Sequence, residues 1–88
     1  MLNVGDDEIQ EAMRVTGRLA GVFAEPAAAA AVAGLARAVR EGVIPRRAAT
    51  LAVITGNGLT NTRAALDAAP KPIDIPPDLA AVEAALAP

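Results

Sequence analysis

The sequence has no cysteine, histidine, tryptophan or tyrosine, and Phe23 is its only aromatic residue. Without thiols or imidazoles it cannot build disulfide frameworks, thiolate zinc sites, cysteine or histidine nucleophiles, or imidazole acid–base chemistry. The shortage of aromatics removes the stacking platforms used to bind single-stranded nucleic acid. The basic residues are scattered, Arg46-Arg47 being the one adjacent pair, and the net charge is −2, so no basic face is available for a phosphate backbone. Long hydrophobic runs are missing as well. The longest, Pro26 to Ala36, is almost all alanine and too short to span a bilayer. The N-terminus Met1-Leu2-Asn3-Val4-Gly5-Asp6-Asp7-Glu8 is acidic, unlike a signal or transit peptide. These absences lead to the expectation of a cytoplasmic protein that engages neither nucleic acid nor membrane.

What is present is 88 residues, enough for one small domain, with 53% apolar composition. Alanine inflates that fraction while contributing little area to bury. Large anchors are few: Phe23, two methionines and a modest set of Leu, Ile and Val. Small Ala and Gly surfaces favour close approach between layers, so the composition points to a chain made to pack against something larger.

Gly5-Asp6-Asp7-Glu8 opens the first predicted helix, over 6–20. Gly5 stands at the N-cap, the acids complement the helix dipole, and Glu8 occupies the capping-box position. Ile9, Ala12, Met13 and Thr16 follow at helical spacing, and Gly17 and Gly21 bracket the end. A short apolar connector, Val22-Phe23-Ala24, leads to Glu25-Pro26. Proline suits the first position of a helix, which places Glu25 at the N-cap of a helix over 26–41 with Gly42 just beyond its end. Val32, Leu35, Ala36 and Val39 form its predicted apolar stripe, with Arg37, Arg40 and Glu41 facing solvent. A carboxylate at a helix start is favoured by the dipole alone, so position by itself assigns Glu25 no further role.

Residues 43–49 read as a surface linker. Thr50-Leu51-Ala52-Val53-Ile54-Thr55 is then an apolar, β-branched run without alternation, the pattern of a strand buried on both faces. It ends in Gly56-Asn57-Gly58, where glycines let the backbone approach a neighbour closely. Ligands of open α/β sheets bind beyond the carboxyl ends of strands, which makes Thr55, Gly56 and Gly58 candidate binding residues. Thr60-Asn61-Thr62 offers N-caps for a short helix over 63–68, and Ile73-Asp74-Ile75 alternates like an edge strand between prolines. A last helix covers 77–86. The expected fold is therefore an α/β fragment: helices packed on a single buried strand that belongs to a larger sheet, mostly helical when taken alone.

Several of these segments resemble one family in order and spacing. They are Gly5-Asp6-Asp7-Glu8-Ile9, Gly21-Val22-Phe23-Ala24-Glu25-Pro26-Ala27, Val53-Ile54-Thr55-Gly56-Asn57-Gly58-Leu59 and Pro72-Ile73-Asp74-Ile75-Pro76-Pro77-Asp78-Leu79. Together the chain is similar to the C-terminal segment of threonine synthase, a fold-type II pyridoxal-phosphate enzyme. The resemblance covers nearly all of residues 1–88, taken as a single segment with no second domain. It implies conversion of O-phosphohomoserine and water into threonine and phosphate. It also implies a cofactor-ring side built from Thr55, whose hydroxyl would face the pyridine nitrogen, with Glu25, Gly56, Asn57 and Gly58 around it. The family often continues Gly-Leu-Lys-Asp after the turn, where this chain has Gly58-Leu59-Thr60-Asn61. The family's Schiff-base lysine and Gly-rich phosphate loop lie in segments upstream of those matched here, and Lys71, in Ala69-Pro70-Lys71-Pro72, fits no catalytic motif. Pyridoxal phosphate is expected only in the context of the complete enzyme, and the isolated chain is expected to be inactive. The expected partner is the missing N-terminal part of the enzyme or a second copy, with a small-molecule substrate. The alternative is a non-catalytic helical module packing against a partner protein.

Overall fold

A computed structural model describes all 88 residues. Four α-helices carry the fold: α1 (Asp6–Ala20), α2 (Pro26–Arg40), α3 (Thr62–Ala68) and α4 (Leu79–Leu86), with a 3₁₀ turn at Gly58–Thr60. The ends of α1 follow local chemistry. The Glu8 carboxylate accepts the Gly5 N–H at 2.9 Å, closing one half of a capping box. At the other end Gly21 takes φ +67° and turns the chain out of the helix. Pro26 starts α2 behind an extended Glu25, and Gly42 at φ +75° reverses the chain after Arg40 and Glu41.

The helices meet through alanine. Ten of the 88 residues are buried: eight alanines, Met13 and Gly58. Ala12 and Met13 of α1 lie against Ala28, Ala29 and Ala33 of α2, with Ala24 and Ala68 completing the cluster. Val32 packs at its edge and Ala36 is exposed, so the face of α2 that turns inward is its small one rather than the bulky stripe the periodicity predicts. Glu8 reinforces this pairing from the rim, lying 2.9 Å from Arg37 Nη2 and 3.1 Å from Arg40 Nη2. Arg37 is thus an inter-helix partner and not a purely solvated residue. Arg14 ties α3 to α1 by donating to the Ala68 and Asp67 carbonyls at 3.2 and 3.4 Å, where a cation complements the C-terminal end of a helix.

The expected strand is not there. The chain is all-helical, with no strand and no sheet. Residues 50–55 carry no regular structure, and Leu51 and Val53 are 89% and 61% exposed rather than buried. The β-branched run supplies propensity, but a strand exists only where neighbouring backbone satisfies its N–H and C=O groups. This chain places no such neighbour alongside the run. Its sole β-type pairing is one antiparallel bridge, Ala24 with Asn57, just past the predicted strand. Ile73-Asp74-Ile75 is likewise unpaired and exposed.

The molecule is open. It exposes 6783 Å², against about 4,800 Å² for a compact monomer of this mass. Its radius of gyration is 16.2 Å, against about 12 Å for a compact domain of this length. Part of the excess is α4, capped by the Asp78 carboxylate but burying none of its own residues. No helix is long and apolar enough to cross a membrane.

Candidate functional site

Two segments far apart in sequence meet at the bridge. Glu25 N–H donates to the Gly56 carbonyl at 3.0 Å, and Gly58 N–H donates to the Phe23 carbonyl at 2.8 Å. This pair of bonds docks the connector between α1 and α2 onto the glycine turn. It brings four of the five predicted site residues, Glu25, Gly56, Asn57 and Gly58, into direct contact, with Thr55 at their border.

Side chains then fill the bare faces of both glycines. A Cβ on Gly56 would lie 2.0 Å from Glu25 Oε1, and one on Gly58 would lie 2.7 Å from two carbons of the Phe23 ring. A side chain at Gly58 would have to displace the Phe23 ring, whereas one at Gly56 would displace the flexible Glu25 carboxylate. The Asn57 side-chain oxygen accepts the Leu59 N–H at 2.9 Å and starts the 3₁₀ turn. Glu25 leaves its own helix uncapped; its Oε2 instead accepts the Thr60 hydroxyl at 2.6 Å. Sequence reasoning missed Thr60 in this role. It marked Thr60-Asn61-Thr62 as competing helix caps, and the structure divides the work: Asn61 accepts the Ala64 N–H at 3.1 Å, leaving the Thr60 hydroxyl for Glu25.

Thr55 is exposed and takes no part in the hydrogen bonds of the turn. It lines a shallow cleft of about 410 Å³ with Gly21, Val22, Phe23, Ile54, Gly56 and Asn57, and Glu25 lies outside that lining. The donor chemistry fits one edge of pyridoxal phosphate. A free neutral hydroxyl at an open cleft can donate to a pyridine nitrogen. The cleft offers no amine for an aldehyde, and Lys71 sits exposed in the segment after α3, outside the lining. No group of three or more Asp or Glu side chains gathers to hold a metal ion.

The comparison with curated proteins shows which proteins carry a segment similar to this connector and turn. The chain matches the C-terminal segment of threonine synthases. It is 41% identical over 76 residues to threonine synthase of Methanocaldococcus jannaschii, covering 86% of this chain and 19% of that protein. It is 40% identical over 81 residues to threonine synthase of Mycobacterium tuberculosis, covering 92% and 22%. The threonine synthase of Mycobacterium leprae is 42% identical over 77 residues, covering 88% and 21%. The chain thus spans about a fifth of the length of these relatives. No family model matches it.

Proposed function

We propose that this chain supplies the cofactor-ring side of the pocket in a threonine-synthase-like enzyme, acting together with the lysine-bearing part. The observation that carries the reading is the identity of about 40% sustained over 92% of the chain, a span that includes both docked segments. Bound pyridoxal phosphate supplies the electron sink for chemistry at the substrate's carbon atoms. The chain's own task is to hold a ring edge. The Thr55 hydroxyl donates to a pyridine nitrogen and so favours its unprotonated form, whereas a carboxylate in its place would hold the ring protonated. The Glu25–Gly56 and Phe23–Gly58 bonds hold the turn that follows Thr55. On this reading the overall reaction is O-phosphohomoserine and water to threonine and phosphate, and the chain is inactive without the part that bears the lysine.

The open surface supports the same reading. The chain exposes about 2,000 Å² more than a compact monomer would, and Leu51, Leu59, Leu66 and Leu79 are each more than two-thirds exposed. The exposed leucines alone would equally suit a helical module that packs on an unrelated protein, and reconstitution separates the two. The chain is combined with a threonine synthase of a relative truncated before its matching segment, and phosphate release from O-phosphohomoserine is measured. Turnover that depends on both pieces supports the proposal. A stable complex without turnover, or no complex, sinks it.

A further inference from the structure

We propose that Thr60 is a positioning residue: its hydroxyl fixes the Glu25 carboxylate against the bare face of Gly56 and so latches the Phe23–Glu25 connector to the turn that carries Thr55. This rests on the reading that the turn faces the cofactor ring, although the latch itself is a property of the chain alone. The argument begins with proton accounting. Thr60 Oγ1 has one proton and two acceptors in reach, Glu25 Oε2 at 2.6 Å and the Asn57 carbonyl at 2.8 Å. The Asn57 carbonyl already accepts the Thr60 N–H at 3.1 Å, so it does not need the hydroxyl. Glu25 has no other partner: it makes no ion pair, and its carboxylate does not cap α2. The proton therefore goes to the carboxylate, where a charged acceptor makes the stronger bond.

The bond has a geometric consequence. A glutamate at a helix N-cap is otherwise free to turn into water or toward the first N–H groups of its helix. Here its carboxylate lies across Gly56, so close that a single Cβ would overlap it at 2.0 Å. The same residue's N–H is bonded to the Gly56 carbonyl. Backbone and side chain of Glu25 thus grip the turn at two points, and Thr60 supplies the second. Residues 25 and 60 hold the grip across 35 positions of chain; neither lines the cleft itself, but they bond to Gly56 and Asn57, which do.

The experiment reads the latch on the 88-residue chain by amide hydrogen exchange, and its use in the reconstituted enzyme by kinetics. Thr60→Val keeps the shape and removes the donor. Exchange at Glu25 N–H and Gly58 N–H should speed up about three- to tenfold, while the α1–α2 amides around Met13 and Ala29 keep their protection. Thr60→Ser should return both amides to the parent rate, which a role based on packing of the threonine methyl would not allow. Glu25→Gln, which retains an acceptor oxygen, should fall between the two. In the reconstituted enzyme Thr60→Val should weaken pyridoxal-phosphate affinity by a similar factor with substrate KM unchanged, and Ser should rescue it. Parent-like exchange in Thr60→Val, or no rescue by Ser, overturns the latch. A latch confirmed by exchange with cofactor affinity unmoved in an active reconstituted enzyme overturns the positioning role. Failure of the parent chain to reconstitute would count against the proposed function instead, while the exchange data would still decide the latch.

Discussion

Adding one methyl group at Gly58 should test whether the connector is seated on the turn as described. The new Cβ would lie 2.7–2.8 Å from three carbons of the Phe23 ring, where carbon atoms normally rest about 3.5–4.0 Å apart. Roughly 1 Å must be recovered by moving either the ring or the turn. The ring is held because Phe23 packs against the Ala12, Met13 and Ala28 cluster, and the turn is held by the Gly58 N–H bond to the Phe23 carbonyl. Overpacking of this kind costs about 1–3 kcal/mol. In a domain of this size each kcal/mol moves the melting midpoint by about 4–8 °C, so Gly58→Ala should melt roughly 5–20 °C below the parent. Gly56→Ala should cost less despite its shorter contact, because the group displaced is the end of a flexible glutamate and the loss is one hydrogen bond, about 1 kcal/mol. Gly34→Ala is the internal control. It lies within α2 with nothing within 4 Å of the new Cβ, so it should stabilise by about 0.5–1 kcal/mol through helix propensity. Thermal melts followed by circular dichroism at one pH would rank the three. A Gly58→Ala midpoint equal to that of Gly34→Ala would refute the seating of Phe23 on the turn.

Glu8 gives a pH dependence. Its carboxyl is held below the ordinary value of 4.5 first by the Gly5 N–H, then by Arg37 and Arg40, against an opposing desolvation. A depressed folded value means stability fully present above 4.5 and lost as pH falls through the folded value, so the parent's melting temperature should drop in acid more steeply than that of Glu8→Gln. Asn61→Ala removes the cap of α3 and should cost about 0.5–2 kcal/mol. Amide exchange should place that loss in α3, and Asn61→Asp should show none of it. Thr55→Val, at an exposed residue outside the turn's bonds, should leave stability within about 0.5 kcal/mol of the parent. It should lower cofactor affinity or turnover of the reconstituted enzyme by about two- to tenfold, and equal kinetics in the two would remove Thr55 from the site.

The helices were legible because their signals are local. Gly5 with Glu8, Pro26 after Glu25, and Gly21 and Gly42 at positive φ each act within a few residues, and the boundaries of α1 and α2 follow from them. The strand was misread because its cause is not local. Val53 and Ile54 favour an extended backbone, but nothing in their own sequence can supply a neighbouring strand. The inward face of α2 was misjudged for a related reason. Periodicity weights bulky residues such as Val32 and Leu35, while the close α1–α2 contact selects Ala29 and Ala33, which admit it. Of the site, Glu25 and the glycine turn could be grouped only through resemblance to a family. Thr60 was out of reach because its bond spans 35 residues and no spacing rule connects them.

The one departure from the family pattern after the turn acquires a physical meaning from these bonds. Where the resembling sequences often carry Lys-Asp, this chain carries Thr60-Asn61. Asparagine and aspartate serve equally as helix N-caps, so the second change leaves the start of α3 intact. The first change puts a hydroxyl where an ammonium would stand. An exposed ion pair is worth only about 0–1 kcal/mol, and a hydroxyl-to-carboxylate bond of 2.6 Å can match it while fixing one direction, which a flexible ammonium does not. What changes is charge. Glu25 has no cation within 4 Å, so its negative charge stays at the turn, held in place but not neutralised. Restoring the ammonium with Thr60→Lys should therefore preserve the fold and alter the electrostatics beside Thr55. The cofactor affinity of a reconstituted Thr60→Lys enzyme should then depend on salt less steeply than that of the parent, and equal salt dependence would show that the charge of Glu25 is not felt at the cleft.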